Sequence, residues 1–148
     1  MDEIYNSKIL EFAAHISAVG RLNAPHATAK AHSKLCGSSV TVDVMMTNGA
    51  VSGFAQDVKS CALGQAAASI VANSIIGASP AEVQAARQQL TSMLKEHGAE
   101  PEGRFADLKY LKPVRDYKAR HASTLLTLDA LVDCFDQLEA AKSMNLVA

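Results

Sequence analysis

The chain has 148 residues, of which 49% are hydrophobic and 20% are charged, and its formal net charge is −1. This length is typical of one domain, and we expect a single domain over residues 1–148. The hydrophobic content excludes disorder as the main state, because it supplies enough apolar surface for a core. The balanced charge excludes a general nucleic-acid binder, which would be markedly basic.

The compartment can be predicted from the cysteines and the N-terminus. The three cysteines are an odd number without C-x-x-C spacing, which argues against a disulfide-stapled secreted fold. Met1 is followed by two acidic residues, so the N-terminus lacks the basic and then apolar segments of a signal peptide. The uncharged residues 60–81 include Gln65, Asn73 and Pro80, so a buried helix explains them better than a membrane span. We therefore expect a cytoplasmic protein that does not enter the membrane.

The sequence pattern in the first part of the chain predicts one helix followed by three strands. Apolar side chains at helical spacing indicate the helix, and runs of β-branched residues indicate the strands. The strongest β signal is a hairpin, because its Asn-Gly turn contains two residues that tolerate positive φ. The predicted elements are a helix that starts at Asp2 and Glu3 and stops at Gly20, a short strand over 28–33, and a hairpin of 40–46 and 51–58 around Asn48 and Gly49.

The rest of the chain predicts helices. One begins at Cys61 and ends near Gly77, and the next begins at the capping box of Ser79 and Glu82 and runs to about residue 97. A single turn is expected around residues 105–108, an extended segment over 113–117, and a final helix from about Arg120. The order predicts an α+β fold in which a small three-stranded antiparallel sheet is covered by helices.

Two cysteines lie at positions suited to chemistry. Cys36 is in a turn before a strand and is followed by Gly37, where a ligand could approach the backbone. Cys61 is predicted at a helix N-terminus, where the helix dipole and free N–H groups lower the pKa of a thiol. The pattern leaves two alternatives open, a metal or thiol site and a pair of ordinary buried cysteines.

Three segments resemble the NifU-like (IscU/SufU-type) iron–sulfur cluster assembly scaffold family. Residues 35–38 (Leu-Cys-Gly-Ser) resemble the Cys-Gly-Asp segment of that family. Residues 58–66 resemble the segment in which its second cysteine opens an Ala/Ser-rich helix. Residues 113–115 and 119–126 resemble the stretch that carries its third cysteine. The three segments occur in the family's order over almost the whole chain.

The chain departs from the family pattern at two positions. The family's aspartate is Ser38 here, and its third cysteine falls on Ala122. The resemblance therefore implies Cys36, Cys61 and His121 as the ligands of a transient iron–sulfur cluster or of zinc, since thiolates and imidazoles hold both. Cys134 matches no ligand of the family, and we expect an ordinary core side chain there.

The resemblance implies an iron–sulfur cluster assembly protein rather than an enzyme. Such a protein would accept sulfur from a cysteine desulfurase, bind iron or a transient cluster and pass it to cluster-acceptor proteins. A homo-oligomer is compatible with this function. One alternative is a degenerate accessory member that binds zinc or no metal and acts through protein contacts. A thiol enzyme that uses His121 as its base is a further alternative, although no orienting carboxylate is evident.

Overall fold

The computed structural model describes residues 6–35 and 37–147. Its elements are α1 (Ser7–Ala14), β1 (Ala27–His32), β2 (Ser39–Thr47), β3 (Ala50–Lys59), α2 (Ala62–Ser74), α3 (Pro80–Lys95), two 3-10 helices (Gly103–Asp116 and Lys118–Arg120) and α4 (His121–Val147). Within the described residues the strands form one antiparallel sheet in the order β1-β2-β3. The predicted α+β fold is confirmed.

The hairpin of β2 and β3 forms where the sequence predicts it. Asn48 and Gly49 both have positive φ, 53° and 79°, as a tight two-residue turn requires. The register shifts between Met45, which pairs with Gly53, and Met46, which pairs with Val51. One residue of β3 is therefore extra at this point, and a bulge lies close to the turn.

One face of the sheet carries the helices. Alternate residues of β2 are fully buried there, and the core extends from them to α2 and α4. The amide of the buried Gln56 donates to the Ala68 carbonyl in α2 at 3.0 Å, and the thiol of Cys134 in α4 lies 3.9 Å from the Val42 carbonyl. These contacts place α2 and α4 against the sheet.

A buried carboxylate on the opposite face attaches the loop before β1 to the sheet. Asp43 in β2 accepts two hydrogen bonds from Arg21, at 2.7 and 3.1 Å, and one from the Leu22 N–H at 3.0 Å. The Thr28 hydroxyl donates to the same carboxylate at 2.6 Å. The hydrogen bonds from Arg21 lower the pKa of Asp43 to about 2, against the opposing effect of its burial.

Two expectations about local structure need correction. The first helix ends at Ala14 and not near Gly20, and Asn6 caps its start, with its side chain accepting from the Ile9 N–H. Asp2 and Glu3, where its start was predicted, lie outside the described residues. Residues 113–117 are not extended, because residues up to Asp116 belong to the first 3-10 helix. No helix in the described part of the chain is both long and apolar enough to cross a membrane.

Candidate functional site

Cys61 lies between the end of β3 and the start of α2. Its backbone is extended and it is the N-cap residue of the helix, so the first N–H groups of α2 are near its side chain. Its thiol is partly exposed. The predicted position at a helix N-terminus is confirmed.

Two serine hydroxyls and two backbone N–H groups surround the Cys61 sulfur. The thiol lies 3.8 Å from the Ser123 hydroxyl in α4. Burial alone would raise the pKa of this thiol. The nearby N–H groups of Gly64 and Leu63 and the hydroxyls of Ser123 and Ser60 act against this effect, and the net result is a lowered pKa of Cys61. The surroundings of Cys61 therefore favour the thiolate.

A glycine allows the first turns of α2 and α4 to approach each other. A Cβ atom on Gly64 would overlap the Ser60 hydroxyl and would lie 3.1 Å from the Ser123 carbonyl oxygen. Ser123 is 1% exposed, and its hydroxyl donates to the Arg120 carbonyl at 2.9 Å. The start of α4 is thus packed directly against the start of α2 beside Cys61.

Ser38 is the residue that stands where the resemblance places an aspartate. It is 3% exposed, and its hydroxyl lies 3.1 Å from the hydroxyl of Ser60. This contact connects the segment before β2 with the residue that precedes Cys61. Since a serine hydroxyl does not ionise readily, Ser38 is a poor metal ligand, and its hydroxyl instead links the two segments.

His121 is the first residue of α4 and is 5% exposed. Its Nε2 lies 3.1 Å from the Val114 carbonyl oxygen and 3.0 Å from the Arg115 carbonyl oxygen. Because both partners only accept, Nε2 must carry a proton and donate it to them. In the neutral ring this leaves Nδ1 with the free lone pair, so Nδ1 is the nitrogen that could bind a metal.

The other positions implied by the resemblance lie as follows. Ala122 is partly exposed and precedes Ser123, the residue that contacts Cys61. Cys36 lies outside the described residues. Among the residues that the structure does describe, no three side chains of His, Cys, Asp or Glu come together as a metal site.

Cys134 is an ordinary core side chain, as expected from the sequence. It is 0% exposed, and burial raises the pKa of its thiol to about 12. The sequence analysis did not identify Ser60 or Ser123 as neighbours of Cys61. Ser123 lies within the third family-like segment, which makes it a candidate for a residue near Cys61. No sequence signal indicates the contact between Ser60 and Ser38.

Comparisons with known proteins agree with the fold described above. The sequence model described as the NifU-like N terminal domain matches residues 4–124. The crystal structure of a nitrogen-fixing NifU-like protein (N-terminal) from Brucella abortus is 58% identical, with a TM-score of 0.92 over 94% of this chain and 96% of that chain.

A more distant structure shares the fold. It is a proposed iron–sulfur cluster assembly scaffold protein for the SUF system from thermophilic Fervidobacterium islandicum, at 19% identity and a TM-score of 0.82. The match covers 90% of this chain and 97% of that one. No curated protein sequence matches this chain significantly.

Proposed function

This chain belongs to the NifU-like N-terminal domain family, a family of iron–sulfur cluster scaffolds, and we propose that it accepts sulfur at Cys61 for cluster assembly. The observation that carries the proposal is the position of Cys61 at the N-cap of α2, partly exposed and surrounded by hydrogen-bond donors. A thiol in such surroundings is a better nucleophile at neutral pH than an ordinary cysteine.

The sulfur donor is a cysteine desulfurase that carries a persulfide on its own cysteine. The Cys61 thiolate attacks the outer sulfur of that persulfide and forms a new S–S bond. The S–S bond of the donor breaks, and the donor cysteine leaves as a thiolate. Cys61 then carries the persulfide, with no net oxidation or reduction. In this proposal the present protein is not an enzyme, and cluster-acceptor proteins receive the product.

The cargo would be iron or a transient iron–sulfur cluster held by Cys36, Cys61 and His121. The donor atoms suit it, because thiolates are the usual ligands of such clusters and imidazole is an occasional one. The hydrogen bonds from Nε2 of His121 to two carbonyls would fix the ring and leave Nδ1 as the nitrogen that can bind the cargo, as is common for metal-binding histidines. Three protein ligands leave one position open, which suits a cargo that must later be released.

A second candidate is an accessory member of the family that binds zinc or no metal. The observations that favour it are Ala122 at the family's third-cysteine position and the buried Ser38 that contacts Ser60. Two thiolates and one imidazole are also a typical ligand set of zinc. In this case the protein would keep the fold and its contacts with a cysteine desulfurase but would not assemble clusters.

Metal and sulfide analysis of the full chain purified under anaerobic conditions separates these functions. Iron together with acid-labile sulfide supports cluster assembly. Zinc without sulfide supports the accessory function, and the absence of both metals after reconstitution with iron and sulfide contradicts cluster binding.

Sulfur acceptance has a separate test. The chain is incubated with a cysteine desulfurase and radiolabelled cysteine, and the label bound to it is measured before and after reduction with dithiothreitol. We expect reducible label on the parent and on Cys134→Ser, and none on Cys61→Ser. Equal labelling of Cys61→Ser and the parent would contradict the proposed role of Cys61.

A further inference from the structure

A groove between α3 and α4 lies at the opposite end of the sheet from Cys61. Cys61 follows the last residues of β3, whereas the groove includes Gly49, which precedes β3. A strand of ten residues spans about 30 Å, so the two regions are separate. The groove is therefore not part of the candidate sulfur site.

At the end nearest Gly49, the floor of this α3–α4 groove is apolar. Met46, Phe135 and Leu138 line it together with Pro80 at the start of α3, and its cavity has a volume of about 660 Å³. A second cavity of about 620 Å³ continues the groove along α3 and α4, since both are lined by Gln84 and Asp136. The second cavity is lined mainly by polar side chains, so the apolar part of the groove lies in the first one. A cleft with an apolar part and a polar border is a common feature of sites that bind a peptide.

The α4 rim of the groove is acidic. The exposed residues Asp136 and Glu139 line the groove three positions apart on α4, and the exposed Glu96 lines it at the end of α3. Two cations face the same groove, Arg87 and Lys142. Arg87 is already paired with Asp129 at 2.6 Å, so Lys142 at one end is left to offset three carboxylates.

The dimensions of the groove limit what it can hold. On α4 it extends from Val132 to Lys142, a distance of about 15 Å at 1.5 Å per residue. This length matches about three turns of a bound helix. An apolar floor beside an acidic rim complements a helix with apolar residues on one side and basic residues along its flank.

We propose that the α3–α4 groove is a docking surface for a short amphipathic helix of a partner protein, with basic residues that face Asp136 and Glu139. The apolar side of that helix would contact Met46 and Leu138. The proposal does not depend on the chemistry of Cys61, so a partner could remain bound here while sulfur or cluster transfer takes place at the other end of the sheet.

The test uses the full chain labelled with ¹⁵N and a 14-residue peptide of leucine and lysine whose leucines recur at i, i+3, i+4 and i+7. A control peptide has glutamate in place of each lysine. We expect the lysine peptide to shift the amide signals of Gly49, Gln84 and Leu138 in a saturable way, and the glutamate peptide to shift none of them. Shifts concentrated elsewhere, or equal binding of both peptides, would overturn the proposal.

Charge reversal at the rim supplies the matched control. Reversal of two negative charges at the rim turns attraction of the lysine side chains into repulsion, so the double variant Asp136→Lys and Glu139→Lys should bind the lysine peptide about tenfold more weakly. Reversal of Glu11 and Asp107, two exposed acids outside the groove, should leave the affinity unchanged. Circular dichroism verifies that each variant is folded.

Sedimentation of the free chain tests a second copy as the occupant. A monomer across the concentrations used for the titration supports a free groove. Self-association that the double variant abolishes would show that a second copy fills it, and would overturn the proposal of a partner helix.

Discussion

The Cys61 sulfur lies 3.8 Å from the Ser123 hydroxyl, although 62 positions separate the two residues in the chain. The contact joins the N-terminal turn of α2 to that of α4. These turns carry the second and third segments by which the sequence resembles its family. Ala122, where the resemblance places the family's third cysteine, precedes the residue that contacts Cys61.

The first prediction concerns the reactivity of the cysteines in metal-free protein. We expect Cys61 to react with iodoacetamide at neutral pH at least about tenfold faster than Cys134, because only the thiolate is nucleophilic. Hydrogen bonds lower the pKa of Cys61, whereas burial raises that of Cys134 to about 12. Mass spectrometry of peptides taken at successive times measures both rates.

The denatured protein provides the control for this prediction. In a denaturant at the same pH, the two cysteines should react at similar rates, because unfolding removes both environments. If Cys134 is modified first in the folded protein, the placement of these two thiols is incorrect.

The second prediction concerns the dependence of stability on pH. The pKa of Asp43 is about 2 in the folded protein and near its ordinary value of 3.8 in the unfolded chain. Its stabilising effect is therefore complete above about pH 4 and is lost as the pH falls toward 2. The difference corresponds to about 2 kcal/mol of unfolding free energy. Asp43→Asn should thus be markedly less stable than the parent at pH 7, and this gap should narrow below pH 4.

An exposed carboxylate serves as the matched comparison for Asp43. Asp107→Asn removes a charge from the surface of the first 3-10 helix and should change stability by less than about 0.5 kcal/mol. Urea unfolding of the three proteins at pH 7, 4 and 2.5 measures these differences. A constant gap between the parent and Asp43→Asn across that range would show that the carboxylate charge is not the cause.

The third prediction concerns the close approach at Gly64. Alanine has the higher helix propensity by about 1 kcal/mol, which would favour Gly64→Ala at an unobstructed position. Here the new Cβ overlaps the Ser60 hydroxyl and crowds the Ser123 carbonyl, so we expect a net loss of about 1–3 kcal/mol. Thermal unfolding measures the change.

A double-mutant cycle identifies the cause of that loss. Ser60→Gly removes the side chain that the Cβ would meet, so Gly64→Ala should cost less in this background. Gly53→Ala is the matched control in β3, because its Cβ would lie 3.2 Å from that of Met45 and needs a smaller adjustment. An equal cost of Gly64→Ala in both backgrounds would mean that Ser60 is not the obstacle.

Local chemistry made much of the fold predictable. The turn at Asn48 and Gly49 and the capping box of Ser79 and Glu82 form as expected, with both hydrogen bonds of the box present. Each depends on residues within four positions of one another. Such signals operate without knowledge of the rest of the fold.

The first 3-10 helix shows what the periodicity analysis missed. Its buried side chains recur at every third position: Phe105, Leu108, Leu111 and Val114. This spacing matches the three residues per turn of a 3-10 helix. It matches neither the 3.6-residue period of an α-helix nor the two-residue period of a strand. The contacts of Cys61 with Ser123 and of Ser38 with Ser60 had no such signal, because they arise from packing between distant segments.

The last prediction concerns the missing thiolate. Ala122→Cys adds one sulfur atom at a partly exposed position in the first turn of α4, beside the residue that contacts Cys61, so we expect the fold to tolerate it. A thiolate is a soft ligand suited to both iron–sulfur clusters and zinc. After anaerobic reconstitution with iron and sulfide, the variant should keep a visible cluster longer than the parent, and it should also bind zinc more tightly.

Decay of the cluster absorbance in the presence of a chelator measures this effect. Ala119→Cys adds a thiol at an exposed position three residues earlier, and it should decay like the parent because its sulfur is displaced from Cys61. The advantage of Ala122→Cys should shrink when Cys61 is also changed to serine, since the cluster would then lose the ligand beside the new thiolate. If the absorbance of Ala122→Cys and of the parent decays at the same rate while both proteins are folded, one added thiolate is not enough to restore cluster binding. The accessory function would then be favoured.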